Sequence, residues 1–151
     1  MQFTFNEGRI YLPAQWQDQS MHVLVSNDNS GINLVITREP VPQGTRTDTL
    51  YQETIALYQG KLDGYTEHAC HEMTLAEEPA WLLDYSWNGP EEDGKQGRIQ
   101  QLAVFQRRNE MLLTFTFSTS LPLNEGQKKM LLDVVSSFKP LPPDEVSESQ
   151  D

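Results

Sequence analysis

The chain has 151 residues, 37% of them apolar, and a formal net charge of −11. That length suits one domain able to bury a core, and the charge excludes a nucleic-acid or anionic-lipid surface, both of which need clustered Lys and Arg. Cys70 is the single cysteine, which excludes an intrachain disulfide and makes a reducing, cytoplasmic location the expectation.

The opening MQFTFNEGRIYLP lacks a basic stretch followed by an apolar one, so no secretory leader is expected. No run approaches the ~18 apolar residues of a membrane span. Phe3 to Leu12 alternates weakly and reads as a strand pair around Asn6, Glu7 and Gly8, ended by Pro13. Met21 to Val25 is β-rich and short, hence a strand; the turn-forming Asn27 to Gly31 joins it to a second strand, Asn33 to Arg38. After a loop marked by Pro40, Pro42 and Gly44, either Thr47 or Asp48 caps a helix running to about Leu62, with Gly64 as its stop. Leu50, Tyr51, Thr54, Ile55, Tyr58 and Leu62 recur at helical spacing along it. Tyr65 to Met73, Ala80 to Trp87, Arg98 to Arg107 and Met111 to Thr119 read as strands, with a polar hairpin loop from Asn88 to Gly97. A second helix spans Leu123 to Phe138 with Asn124 as its cap. The expected class is α+β: an antiparallel sheet of five or six strands with two α-helices. Residues 1–140 form the single domain, and the acidic, Pro-rich tail 141–151 is expected to be disordered.

Strand alternation sorts the side chains by face. Met111, Leu113, Phe115 and Phe117 lie opposite Leu112, Thr114, Thr116 and Ser118, and Trp81, Leu83, Tyr85 and Trp87 lie opposite Leu82, Asp84 and Ser86. The early strands are apolar on both sides: Met21, Val23 and Val25 oppose His22 and Leu24, and Val35 and Thr37 oppose Leu34 and Ile36. Two helices of about four turns each are not expected to cover both faces of such a sheet. One face is therefore expected to stay partly apolar and dotted with Thr, Ser and Gln, as a binding surface. The alternatives are helices on opposite faces, or a patch closed by a second copy. Val and Met among hydroxyls and amides suit close packing against a transmembrane helix, whose small residues and backbone reward such contacts. Met21, Val23, Val25, Val35 and Thr37, with Tyr58 of the first helix, Ala103 and one of Gln100 and Gln101 (Gln101 by preference), form the candidate groove.

The stretch AQWQDQSMHVLV, with AWLLDYSW, the strand ending in VFQRR and the helix closing on DGY, resembles the Eag chaperones of type VI secretion systems. The resemblance covers roughly residues 1–140. It implies a Mog1/PsbP-like fold and a cytoplasmic homodimer that clamps the N-terminal transmembrane segments of an effector of the PAAR or Rhs type before loading on the secretion spike. It also implies that Met21, Val23, Val35 and Thr37 line the helix groove. Trp16 is expected to anchor the chain where it enters the sheet, while Asp18 and Ser20 satisfy turn backbone.

Catalytic signals are few. The segment EHACHEM holds His68, Cys70 and His71, with His68 and Cys70 expected on one strand face and His71 on the other, too short a stretch to surround a tetrahedral metal. No phosphate-binding or nucleophile-elbow motif is present, and Asp84 and Glu72 read as a satisfied sheet residue and a solvated one. The expectation is a binding protein rather than an enzyme, with no metal or cofactor. A structural homodimer or a small-ligand domain using the same sheet face is the competing reading.

Overall fold

The structure, a computed structural model, describes residues 1–16, 18–92, 94–120 and 122–141. Its elements in chain order are β1 (Gln2–Phe5), β2 (Gly8–Tyr11), β3 (Met21–Val25), β4 (Asn33–Pro40), α1 (Thr47–Lys61), β5 (Thr66–Leu75), β6 (Glu78–Glu92), β7 (Lys95–Arg108), β8 (Met111–Thr119) and α2 (Glu125–Ser136). β1 and β2 pair with each other as a separate hairpin, and the other strands form one antiparallel sheet in the order β3-β4-β8-β7-β6-β5. This is the expected α+β class, with six strands in the main sheet and two helices.

The helices lie on opposite faces. α1 packs its Leu50 and Tyr51, with Ile55 and Tyr58, on Leu83, Tyr85, Ala103, Phe105 and Leu112. α2 sets Leu131 and Val135 on Leu82, Leu102, Val104, Phe115 and Phe117 of the other face. The outermost strand is left out of both layers: no residue of β3 is buried. The expected partly bare face therefore takes another form, since each helix covers the middle strands and the β3 end is open on both sides.

Local chemistry sets the boundaries. α2 opens on a capping box, in which the Asn124 side chain accepts from the Gln127 N–H at 2.8 Å and the Gln127 side chain accepts from the Asn124 N–H at 3.0 Å. At α1 neither Thr47 nor Asp48 is the cap. Arg46 holds that position without a side-chain capping bond, and Asp48 sits in the first turn, where its charge complements the helix dipole. Gly64 ends the connection after α1 at φ +64°, and a Cβ there would run into the Asn88 side-chain amide, so glycine is required on two counts.

Three expectations are corrected. The polar loop Asn88 to Gly97 is mostly ladder: the pairing continues through Glu91↔Gln96 and Glu92↔Lys95 after an irregularity past Asn88. Its turn-forming composition conceals an extended hairpin whose backbone bonds need no apolar side chains. A bulge between Glu67 and Ala69 turns His68 towards Ser86, leaving His68 and Cys70 on opposite faces. Trp16 is 59% exposed, so it stands outside the core instead of anchoring the chain's entry to the sheet. Asp18 and Ser20 do form the expected turn, with the Ser20 N–H and hydroxyl both donating to Asp18 Oδ1. Apart from Leu141, the tail assigned to disorder lies outside the described residues.

Candidate functional site

Three rows of side chains cross the α1 face of the sheet in register. One runs Met21, Thr37, Thr114, Phe105, Trp81; the next Val23, Val35, Thr116, Ala103, Leu83; the third Val25, Asn33, Ser118, Gln101, Tyr85. In each row exposure drops from the exposed residue of β3 to the buried or half-buried residue of β7. Met21, Val23 and Val25 are 60%, 60% and 68% exposed. Val35, Thr37, Thr116 and Ser118 are half-buried, and Ala103, Phe105 and Leu83 are buried under α1. The gradient follows from geometry: α1 lies over β6, β7 and the Leu112 end of β8, so β3, β4 and the end of β8 that carries Thr116 and Ser118 form a more open floor beside it, part apolar and part hydroxyl.

The inner end of the third row is fixed by Gln101. Its Oε1 accepts from the Tyr85 hydroxyl at 2.7 Å and the Trp87 indole N–H at 2.9 Å, and its Nε2 donates to Ser118 Oγ at 2.7 Å. Both acceptor sites and one donor are thereby used, leaving one amide hydrogen. Tyr58 of α1 packs its ring 5.5 Å from those of Tyr85 and Phe105. Burial, and secondarily the Glu39 carboxylate, push its hydroxyl up to about 12, so it stays protonated and neutral at ordinary pH. Burial likewise raises Tyr85. Both hydroxyls therefore stay neutral beside the open floor, with the Glu39 carboxylate close enough to act on Tyr58.

Of the residues singled out from the sequence, the structure brings Met21, Val23, Val25, Val35, Thr37 and Gln101 to this face, with Tyr58 on the helix beside it. Ala103 belongs to the same row but is wholly buried and has no surface to offer a guest. Gln100 points to the opposite face, where its Nε2 donates to Asp84 Oδ1 at 3.0 Å and its Oε1 accepts from the Leu123 N–H at 2.7 Å. Thr116 and Ser118 were not singled out as site residues. Alternation had separated them from the α2-facing core, but only the β4–β8 register shows that they stand beside Val35 and Asn33.

The remaining polar clusters do not converge on this floor. Asp84 is buried on the α2 face, 2.8 Å from Lys128 Nζ, whereas Glu72 is exposed and pairs across β5–β6 with Trp81 on the α1 face. Among the described residues no three His, Cys, Asp or Glu side chains are grouped to hold a metal, and no helix is long and apolar enough to cross a membrane.

A family model for DcrB matches residues 7–137, the hairpin turn through the end of α2. The chain belongs to the DcrB family. Among solved structures, this DcrB-family chain is similar to PA94, a protein of unknown function from Pseudomonas aeruginosa, at 20% identity and a TM-score of 0.73 over 94% of this chain and 97% of that one. It is also similar to LpqN of Mycobacterium tuberculosis, described as involved in cell envelope biogenesis (15% identity, TM-score 0.49, 80% of each chain). A third similar structure is the cyanobacterial PsbP of Synechocystis sp. PCC 6803 (13% identity, TM-score 0.44, 85% of this chain and 79% of that one). The PA94 likeness, over nearly the full length of both chains, shows that the DcrB-family chain shares its fold. No curated protein matches the chain.

Proposed function

We propose that this DcrB-family protein is an effector chaperone of the Eag type, which holds the N-terminal transmembrane helices of a type VI secretion effector out of water until the effector is loaded on the spike. One observation carries the reading. Met21, Val23 and Val25 expose large apolar side chains on one face, in register with the half-buried Val35, Thr37, Thr116 and Ser118. An apolar run of this kind in a chain of net charge −11 stays soluble through its acidic surroundings and gains free energy when an apolar guest covers it. Thr37, Thr116 and Ser118 supply hydroxyls of the kind that small-residue helix faces accept. The WQDQS segment immediately before β3 supports the same assignment by its resemblance to the Eag chaperones.

A cytoplasmic location, a homodimeric state and a purely binding role, without catalysis, metal or cofactor, belong to the same reading. The test is co-expression with an effector that bears a PAAR or Rhs region and apolar N-terminal segments, followed by pulldown. The Met21→Asp/Thr37→Asp double variant is expected to stay folded and lose the effector. An undiminished complex with that variant defeats the proposal.

A further inference from the structure

The main sheet has two edges, and they are built differently. β5 is bulged between Glu67 and Ala69 and carries Glu67 and Glu72, features that discourage another strand from pairing. β3, with sequence MHVLV, has no bulge, Pro, Gly, Lys or acid, and all five of its residues are exposed. The Ser26 N–H donates to the Ile32 carbonyl at 3.1 Å, and Leu24↔Leu34 and His22↔Ile36 continue that phase. Because alternate residues of an antiparallel strand bond to the same neighbour, the main-chain N–H and C=O groups of Met21, Val23 and Val25 point outward, away from β4. These are the residues whose side chains stand on the open floor.

We propose that this edge takes up an extended segment of a partner protein as a seventh strand, uncharged over a length matching β3 and flanked on both sides by Lys or Arg. The charge pattern selects that occupant over a second copy of the chain. Asp18 and Asp28 each lie five residues from Val23, on either side of it. Both are exposed and held in place, Asp18 by the Ser20 N–H at 2.9 Å and Asp28 by the Ser30 N–H at 3.0 Å and the Ser26 hydroxyl at 2.6 Å. Two copies paired antiparallel about Val23 would bring the end that carries Asp18 against the other copy's end that carries Asp28, twice over, a like-charge opposition added to the repulsion of two chains of charge −11. A basic-flanked guest turns the same two carboxylates into attractions, while strand addition supplies main-chain bonds. A dimer assembled through another surface leaves this edge free. The inference goes beyond capture of helices, since the bound segment is extended.

The probe is a fluorescently labelled synthetic peptide, KKTVTVTKK, titrated against the full chain by anisotropy, with EETVTVTEE as its charge-reversed companion. Saturable binding of the basic peptide is expected, weakened by salt and at least about tenfold tighter than that of the acidic one. At saturation the amide hydrogens of Met21, Val23 and Val25 should become protected from exchange. Val23→Pro removes an outward donor where an edge strand tolerates proline, and should weaken the basic peptide at least about tenfold with an unchanged circular dichroism spectrum. If that variant does not fold, amide exchange in the native chain decides. Absent binding, equal binding of the two peptides, or unchanged exchange at those three amides overturns the proposal. A concentration-dependent dimer dissolved by Val23→Pro does so too, by giving the edge to a second copy.

Discussion

Replacing Met21 by Asp places a charge at the outer end of the row that runs through Thr37, Thr114 and Phe105. In the free protein the effect is small. The residue is 60% exposed, so the carboxylate stays hydrated and the cost is mainly lost strand preference, ~1 kcal/mol. With a guest bound the balance changes. Fully burying a Met side chain is worth ~1.5–3 kcal/mol. With 60% of Met21 still open, capture of an apolar helix adds ~1–2 kcal/mol at this position. Asp forfeits that gain and must also lose water against the helix or hold it off, a further ~2–3 kcal/mol. The total, ~3–5 kcal/mol, corresponds to a loss of affinity of about a hundredfold to a few thousandfold. The assay dilutes a synthetic apolar helix of about 20 residues from detergent into wild type or variant and follows its aggregation by light scattering, with urea denaturation of each protein alongside. A Met21→Asp protein that keeps near-native stability and still holds the helix in solution at the wild-type ratio refutes the reasoning.

Other outcomes follow from the polar contacts. Lys128→Met strands the Asp84 carboxylate, whose side chain is 5% exposed, with the Gln100 amide as its remaining side-chain partner among the described residues; urea denaturation should show a loss of ~3–5 kcal/mol, much of it regained on adding Asp84→Asn. Gln101→Leu removes the shared acceptor of the Tyr85 hydroxyl and the Trp87 indole, costing ~2–3 kcal/mol and altering the near-ultraviolet dichroism of both rings. Hydrogen bonds from Ser26 and Ser30 lower the Asp28 pKa from 3.8 to about 2, so its stabilising effect is complete above 3.8 and lost as pH falls through about 2. The urea midpoint of Asp28→Asn, measured against pH, should accordingly fall less steeply than wild type across that interval.

Element types were legible in this sequence because local chemistry announces them. MHVLV bounded by turn residues gave β3 to the residue, Met111 to Thr119 gave β8, and Asn124, read as the cap, holds that position at the start of α2. The preference for Gln101 over Gln100 on the α1 face also followed from alternation, since no bulge interrupts Gln100 to Arg108. The same reasoning failed at His68, where one extra residue in the strand reversed the facing of its neighbour. It failed again at Asn88 to Gly97, where backbone pairing persisted through residues of turn-like composition.

By itself, then, the chain determined most of its secondary structure, its acidity and the alternation that puts Met21, Val23, Val25, Val35 and Thr37 on one side, because these depend on neighbours within a few residues. Only the tertiary structure decided that β3 is an edge, that the helices divide between the two faces, and that Ala103 is sealed while Met21 is bare. Those facts depend on strand order and on where α1 comes to rest. Contacts between residues as distant as Tyr58 and Phe105, or Gln101 and Ser118, fix both, and no local pattern in the sequence encodes them.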